Sequence, residues 1–323
     1  MTRRHWTHEQ LVTGVRAGDQ RAVARSISLV ENRDPGALAI VQELYPETGE
    51  AFAIGITGPP GVGKSSLIAA LIRHVRGLDK TVGVISVDPS SPFTQGALLG
   101  DRIRLVDHFL DPGVFIRSMG TRGHLGGLAE ATLQALLLLD AAGRDIVFIE
   151  TVGTGQSEVE VMSIADEVVL VLMPGSGDSV QALKAGIMEI PDVVAINKMD
   201  QPGARSMLAD LRAVVALDSD SERRPPILFT EALREEGIAE LWDAVVERRD
   251  RLAAAGDLEE RRRRNLAGEV VSAATARARS AIEQAIEEDP QLAELVAAVQ
   301  GRQIDPLTAV EQIVATVLRD GFA

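Results

Sequence analysis

The chain has 323 residues, 46% apolar and 25% charged, a globular balance with room for one large or two modest domains at roughly 100–200 residues each. Aromatic residues are only 3%, so the core must be aliphatic, and the complete lack of cysteine excludes disulfides, thiolate nucleophiles and cysteine metal cages. Acidic residues outnumber basic ones, 47 to 33; a net charge of −14 argues against nucleic acid and membrane surfaces as partners but leaves one small nucleotide open.

The opening MTRRHWTHEQ leads into no apolar h-region, and no apolar stretch approaches the ~18–20 residues that span a bilayer, so a cytoplasmic protein is expected. Residues 1–47 read as a helical segment. Thr7 and Gln10 have capping-box spacing, and Leu11, Val15, Val23, Ile27 and Val30 recur near helical intervals over 7–31. Asn32-Arg33-Asp34-Pro35 ends that unit, and a short helix over 36–45 closes at Tyr45-Pro46.

Over 48–255 the grammar changes. Short apolar, β-rich runs at 51–57, 81–87, 114–118, 145–150, 167–173, 192–197 and 226–229 alternate with helical patterns at 64–76, 126–142, 179–190, 203–216 and 237–254. Continuous apolar strands separated by helices imply an α/β fold with a doubly wound, mostly parallel sheet covered on both faces. From 256 to 323 the strands stop. A long helix runs to about Glu288, followed by 291–300 and 306–319, with Asp305-Pro306 at N-cap and N1. Leu292, Leu295, Val296 and Val299 form one apolar stripe, and Leu307, Val310, Val314 and Val317 another. So thin an arm is expected to bury them against a symmetry-related copy, as a homodimerisation element.

Gly58-Pro59-Pro60-Gly61-Val62-Gly63-Lys64-Ser65 fits G-x-x-x-x-G-K-[ST] between an expected strand and an expected helix, and Ser66 follows inside that helix. The glycines let backbone N–H groups curl around phosphate oxygens, with the positive helix N-terminus behind them. Lys64 is then placed to bridge the β- and γ-phosphates, and the Ser65 hydroxyl to ligate Mg²⁺. Asp88 follows one strand and Glu150 ends another, so both lie at the carboxyl edge of a parallel sheet, where such folds bind ligands. Mg²⁺ takes one or two carboxylates, and Asp101 is a further candidate ligand. Glu150-Thr151-Val152-Gly153 resembles the D-x-x-G segment of GTPases, which puts the Gly153 N–H on the γ-phosphate and makes 151–158 a nucleotide-sensing switch. Thr154 stands where many GTPases place a catalytic glutamine; Gln156 is the candidate two residues on.

Asn197-Lys198-Met199-Asp200 matches N-K-x-D after a strand. The Asp200 carboxylate can accept from guanine N1–H and the 2-amino group, whereas adenine would leave it unpaired. Lys198 would lay its stem along the base, and Asn197 would tie this loop to the phosphate loop. Thr230-Glu231-Ala232-Leu233 occupies the place of the segment whose backbone N–H meets guanine O6, with Glu231 in place of the usual serine.

Assembled, these motifs resemble the MeaB/ArgK-type GTPases, relatives of the human methylmalonic aciduria type A protein. The resemblance spans nearly the whole chain through GPPGVGKSS (58–66), VDPSSPF (87–93), GALLGDR (96–102), TRGHLGGL (121–128), ETVGTGQSE (150–158), PGSGD (174–178) and NKMD (197–200). It implies a homodimeric P-loop NTPase of the SIMIBI class that assists a cobalamin-dependent acyl-CoA mutase, typically methylmalonyl-CoA mutase, by gating cofactor loading and protecting the mutase from inactivation. It also implies that Ser65 and Asp101 ligate Mg²⁺, that Asp88 and Glu150 hold its waters, and that 174–184 is an extra switch. Gln95 stands where relatives often have glycine.

Plainer accounts compete at several points. Asp178 with Gln181 makes a good capping box, so 174–184 also reads as a glycine-rich turn. Arg261–Arg264, after Glu259 and Glu260, read as a solvated helix face. A nickel-insertion GTPase shares the fold class, but that chemistry generally needs Cys or His clusters. A kinase needs an acceptor pocket and a general base, and the sequence offers neither.

Overall fold

The computed structural model describes residues 6–88, 105–120, 127–151, 162–175, 191–216 and 224–320. Seven strands form one sheet: β1 (Phe52–Thr57), β2 (Val82–Asp88), β3 (Val114–Gly120), β4 (Ile146–Thr151), β5 (Glu167–Leu172), β6 (Val193–Ile196) and β7 (Ile227–Phe229), in the order β3-β2-β4-β1-β5-β6-β7. Every strand pair is parallel, where a mostly parallel sheet was expected. β1 lies centrally between β4 and β5, so its carboxyl end opens where the chain leaves for opposite halves of the sheet, the position at which doubly wound folds bind ligands.

Burial on both faces explains why the strands read as continuous apolar runs. Ala53, Ile85, Val87, Val147, Ile149 and Val168 face one side. There α1 (His8–Arg16), α2 (Gln20–Glu31), α3 (Pro35–Leu44) and the helix Gly127–Ala141 (α5) complete a layer through Val15, Val23, Ile27, Ile40, Leu138 and Leu139. Phe52, Ile54, Ile56, Val84, Phe148 and Val171 face the other, under α4 (Lys64–Gly77) and the helix Ile238–Ala255 (α7). The helix Ala204–Val215 (α6) covers β5 and β6 with Met207 and Leu211. The N-terminal segment starts from the expected capping box at Thr7 and Gln10, and Arg117 of β3 pairs with Glu31 of α2.

Residues 1–266 form one compact unit and 267–323 a second. The helix Asp257–Glu288 (α8) begins in the first. Within the second unit, α9 (Pro290–Gln300) and α10 (Pro306–Asp320) pack together with Ile282 and Ile286 through Leu292, Ile313 and Val317. The inward row of α10 is therefore Ala309, Ile313 and Val317, while Leu307, Val310 and Val314 of the expected stripe stay exposed, because the buried face is centred on Ile313 and shares only Val317 with that stripe. Among the described residues, no helix is long and apolar enough to cross a membrane.

The run Arg261–Arg264 departs from expectation. It is not a solvated face as a whole, because Arg261 pairs with Asp192 at 2.7 Å, and Arg262 pairs with Asp166 at 2.7 Å while donating to the Gly49 and Ala51 carbonyls. Only Arg263 and Arg264 remain exposed. The acids they meet stand at the starts of β5 and β6, where Asp166 and Asp192 also accept the backbone N–H of Ala53 and Val168 at 2.9 Å each.

Candidate functional site

β1 ends at Thr57, and the loop 58–63 turns directly into α4. Gly58, Gly61 and Gly63 have positive φ, at 140°, 80° and 95°. At Gly58 the requirement is also steric, since a Cβ there would lie 2.1 Å from the Val171 carbonyl oxygen. Lys64 is buried, and its ammonium donates back to the Gly58 and Pro59 carbonyls at 2.6 and 3.1 Å, closing the loop around its own charge. An arriving phosphate would meet this ammonium at the helix N-terminus.

The next residue reaches the opposite wall. Ser65 Oγ donates to Glu150 Oε1 at 2.7 Å, and Ser86 Oγ to Glu150 Oε2 at 3.4 Å. All three residues are buried, and strand register explains the meeting, because Ser86 of β2 pairs with Glu150 of β4 and Ile56 of β1 lies on the other side of Glu150. Asp88 ends β2 two residues beyond Ser86, next to Gly120 of β3. A hydroxyl and a carboxylate at the mouth of a phosphate loop are hard oxygen donors of the kind Mg²⁺ selects. Asp101, Gly153, Thr154, Gln156, Gln95 and the 176–184 part of the extra switch lie outside the described residues, as does the expected helix 179–190.

The base loop is built around Asn197, which follows β6 and is buried. Its Nδ2 donates to the Val62 carbonyl at 2.9 Å, and its Oδ1 accepts from the Thr230 hydroxyl and the Ala232 N–H, both at 3.2 Å. One side chain thus joins the phosphate loop, the loop after β6 and the loop after β7. Lys198 has φ 58° and turns its ammonium to the Gly61 carbonyl at 2.8 Å, so its stem crosses towards the phosphate loop. Asp200 is exposed beside these loops. The Glu231 N–H, one of the expected donors to a base carbonyl, is held by the Glu236 carbonyl at 2.9 Å. The Ala232 and Leu233 N–H groups make only long bonds, 3.2 and 3.4 Å, and are the ones a base oxygen could share. Pro59, Pro60 and Ser66 lie within the loop–helix junction.

Two features escape a linear reading. Ser86 gains its contact with Glu150 only through the β2–β4 register. Glu231 is buried after β7, and burial first, then the neighbouring Asp200, raises its pKa above the ordinary carboxylate range. The replacement of a serine by an acid in this segment was the available signal.

A glycine-rich strand–loop–helix at the central switch point of a parallel sheet, joined through Asn197 to a base loop, defines a P-loop GTPase. Residues 23–289 match the family described as methylmalonyl Co-A mutase-associated GTPase MeaB, and the chain belongs to that family. GTPase ArgK of Escherichia coli is 37% identical over 268 residues, covering 79% of this chain and 80% of its own length. The mitochondrial methylmalonic aciduria type A homolog of mouse is 35% identical over 273 residues, covering 79% of this chain and 66% of its own. The solved structure of a LAO/AO transport system kinase superposes with a TM-score of 0.73 at 25% identity, covering 97% of this chain and 98% of that one. The protein is a GTPase of the MeaB/ArgK type and binds GTP and GDP.

Proposed function

We propose that this GTPase is a switch that assists a cobalamin-dependent acyl-CoA mutase of the methylmalonyl-CoA mutase type, gating cofactor loading and protecting the mutase. The observation that carries the reading is the 2.7 Å contact between Ser65 and Glu150. It couples the phosphate loop to the head of segment 151–158, so the presence of a γ-phosphate can be felt along the chain that follows Glu150. The family match supports a mutase as the partner.

In this reading Ser65 and Asp101 would ligate Mg²⁺, with Asp88 and Glu150 on its waters. The donor chemistry of Ser65 and Glu150 fits that ion. Bound there, Mg²⁺ supplies charge neutralisation across the β- and γ-phosphates. Lys64 holds the bridging region, the loop N–H groups of 58–63 orient the phosphates, Gly153 contacts the γ-phosphate, and Gln156 positions the attacking water. Asp200 accepts from guanine N1–H and the 2-amino group. The exposed row Leu307, Val310 and Val314 supports a homodimer through 256–323.

The test is co-purification with a methylmalonyl-CoA mutase in the presence of GDP and of a non-hydrolysable GTP analogue, with nucleotide competition alongside. Nucleotide-dependent association and selectivity for GDP over ADP are expected. Absence of association in both states would sink the mutase reading, and equal GDP and ADP affinity would sink the base assignment.

A further inference from the structure

Glu150 is 2% exposed, so its two oxygens take their donors from the fold rather than from water. Strand pairing decides what stands on either side of it. Across β1 its partner is Ile56, wholly buried and without a polar side-chain atom. Across β2 its partner is Ser86, itself 2% exposed. Residues paired in a sheet project to the same face, and Val84 and Phe148, each two residues earlier on these strands, lie together in the layer under α4. Ser86 and Glu150 therefore both face the helix that carries Ser65. One carboxylate oxygen, Oε1, receives the Ser65 hydroxyl at 2.7 Å, and the other, Oε2, receives the Ser86 hydroxyl at 3.4 Å. At that length the second is the weaker hold. No other acceptor for the Ser86 hydroxyl stands among the described residues.

We propose that Ser86 is a positioning residue for Glu150: it holds Oε2, so that Oε1 stays turned to Ser65 at the mouth of the phosphate loop. The inference rests on the magnesium reading above, in which Ser65 ligates the ion and Glu150 holds its waters. A carboxylate held at one oxygen alone can swing about its last torsion, which is broad for glutamate. Holding the second oxygen removes that freedom in advance, so less is lost when the site is filled. The consequence is a lower Mg²⁺ requirement for binding a nucleoside triphosphate, with no effect on nucleotide bound without metal. Ser86 acts through Glu150 and is placed on neither nucleotide nor ion.

The experiment measures the affinity of the full chain for a non-hydrolysable GTP analogue across a Mg²⁺ series and in EDTA. Ser86→Thr keeps the hydroxyl, and Ser86→Val puts a methyl group in its place, both β-branched side chains that suit a strand. Ser86→Val is expected to need about 3- to 10-fold more Mg²⁺ for half-maximal tightening, the range of one modest hydrogen bond, while Ser86→Thr stays within about twofold of the parent. Affinity in EDTA should be the same for the parent and both variants. Ser86→Ala is the further variant should the branched side chains disturb the sheet. Glu150→Gln, measured alongside, separates the inference from the reading beneath it. A Mg²⁺ requirement moved by Glu150→Gln but not by loss of the Ser86 hydroxyl overturns this inference alone. A requirement that Glu150→Gln also leaves unmoved overturns the role of Glu150 at the metal and the inference with it. Losses of equal size in EDTA and in Mg²⁺ would mean that Ser86 only packs the sheet, which overturns the inference too.

Discussion

Asn197 Nδ2 donates to the Val62 carbonyl at 2.9 Å, tying the loop after β6 to the phosphate loop through a buried side chain. The same residue accepts from Thr230 and Ala232, so three loops from three strand ends share one amide. Removing it leaves two donors and one acceptor without partners.

Asn197→Ala should therefore lower stability by roughly 3 kcal/mol, at ~1 kcal/mol net per hydrogen bond lost. It should also weaken GDP binding more than Lys198→Ala does, because the relative position of phosphate and base loops is lost. Denaturant unfolding with and without GDP checks both. An Asn197→Ala chain of unchanged stability would show that backbone contacts alone hold the three loops.

The glycines of the phosphate loop separate two kinds of requirement. Gly58→Ala drives a Cβ against the Val171 carbonyl of β5, which cannot move without breaking the central sheet. Gly61 has φ 80° but nothing within 4 Å of a Cβ. Gly61→Ala should cost only the ~1–2 kcal/mol of a left-handed residue, whereas Gly58→Ala should cost several times more and abolish nucleotide binding. Equal melting temperatures for the two variants would contradict the steric account.

The sheet was legible because its strands are buried on both faces and separated by helices, so β1 to β7 each announce themselves as an apolar run; the observed ends shift by no more than two residues. The phosphate and base motifs were legible because backbone chemistry demands glycine, lysine and asparagine at fixed spacing. What escaped depends on register and on distance in sequence. Arg261 reads locally as part of a solvated run after Glu259 and Glu260, yet Asp192, 69 residues earlier, offers two oxygens at a strand start. The acids opening successive strands, Asp166-Glu167 and Asp192, stand in plain view, but nothing linear says that an arginine run 69 or more residues later must neutralise them.

That cluster makes a stability prediction. Asp192 accepts from both Arg248 and Arg261 at 2.7 Å and from the Val168 N–H, all well shielded from water. Asp192→Ala strands the Arg261 guanidinium and leaves Arg248 with Glu167 alone, and should destabilise by about 3–5 kcal/mol, with little relief from salt. Combining it with Arg261→Met should recover part of the loss, because the stranded charge is gone. A double-mutant cycle in urea measures the coupling; strictly additive losses would mean that Arg261 and Asp192 do not act as a pair.

The same cluster sets a pH dependence through Glu167. This residue is wholly buried, and burial first, with the Asp192 charge second, pushes its carboxyl up to about 8 from 4.5, against the pull of Arg248 at 3.0 Å. A raised folded-state value means that the native chain holds a proton the unfolded chain has released. Its contribution is fully present below pH 4.5 and is lost as pH rises through about 8. Glu167→Gln resembles the protonated side chain and cannot ionise. The variant should match the parent near the acid end of this window and become the more stable of the two beyond it, by an amount on the order of a few kcal/mol. The difference in unfolding free energy between the two chains, followed across the window, isolates Glu167 from every other titrating group. A difference that is flat, or that favours the parent as pH rises, would mean that Arg248 and Arg261 keep Glu167 ionised throughout.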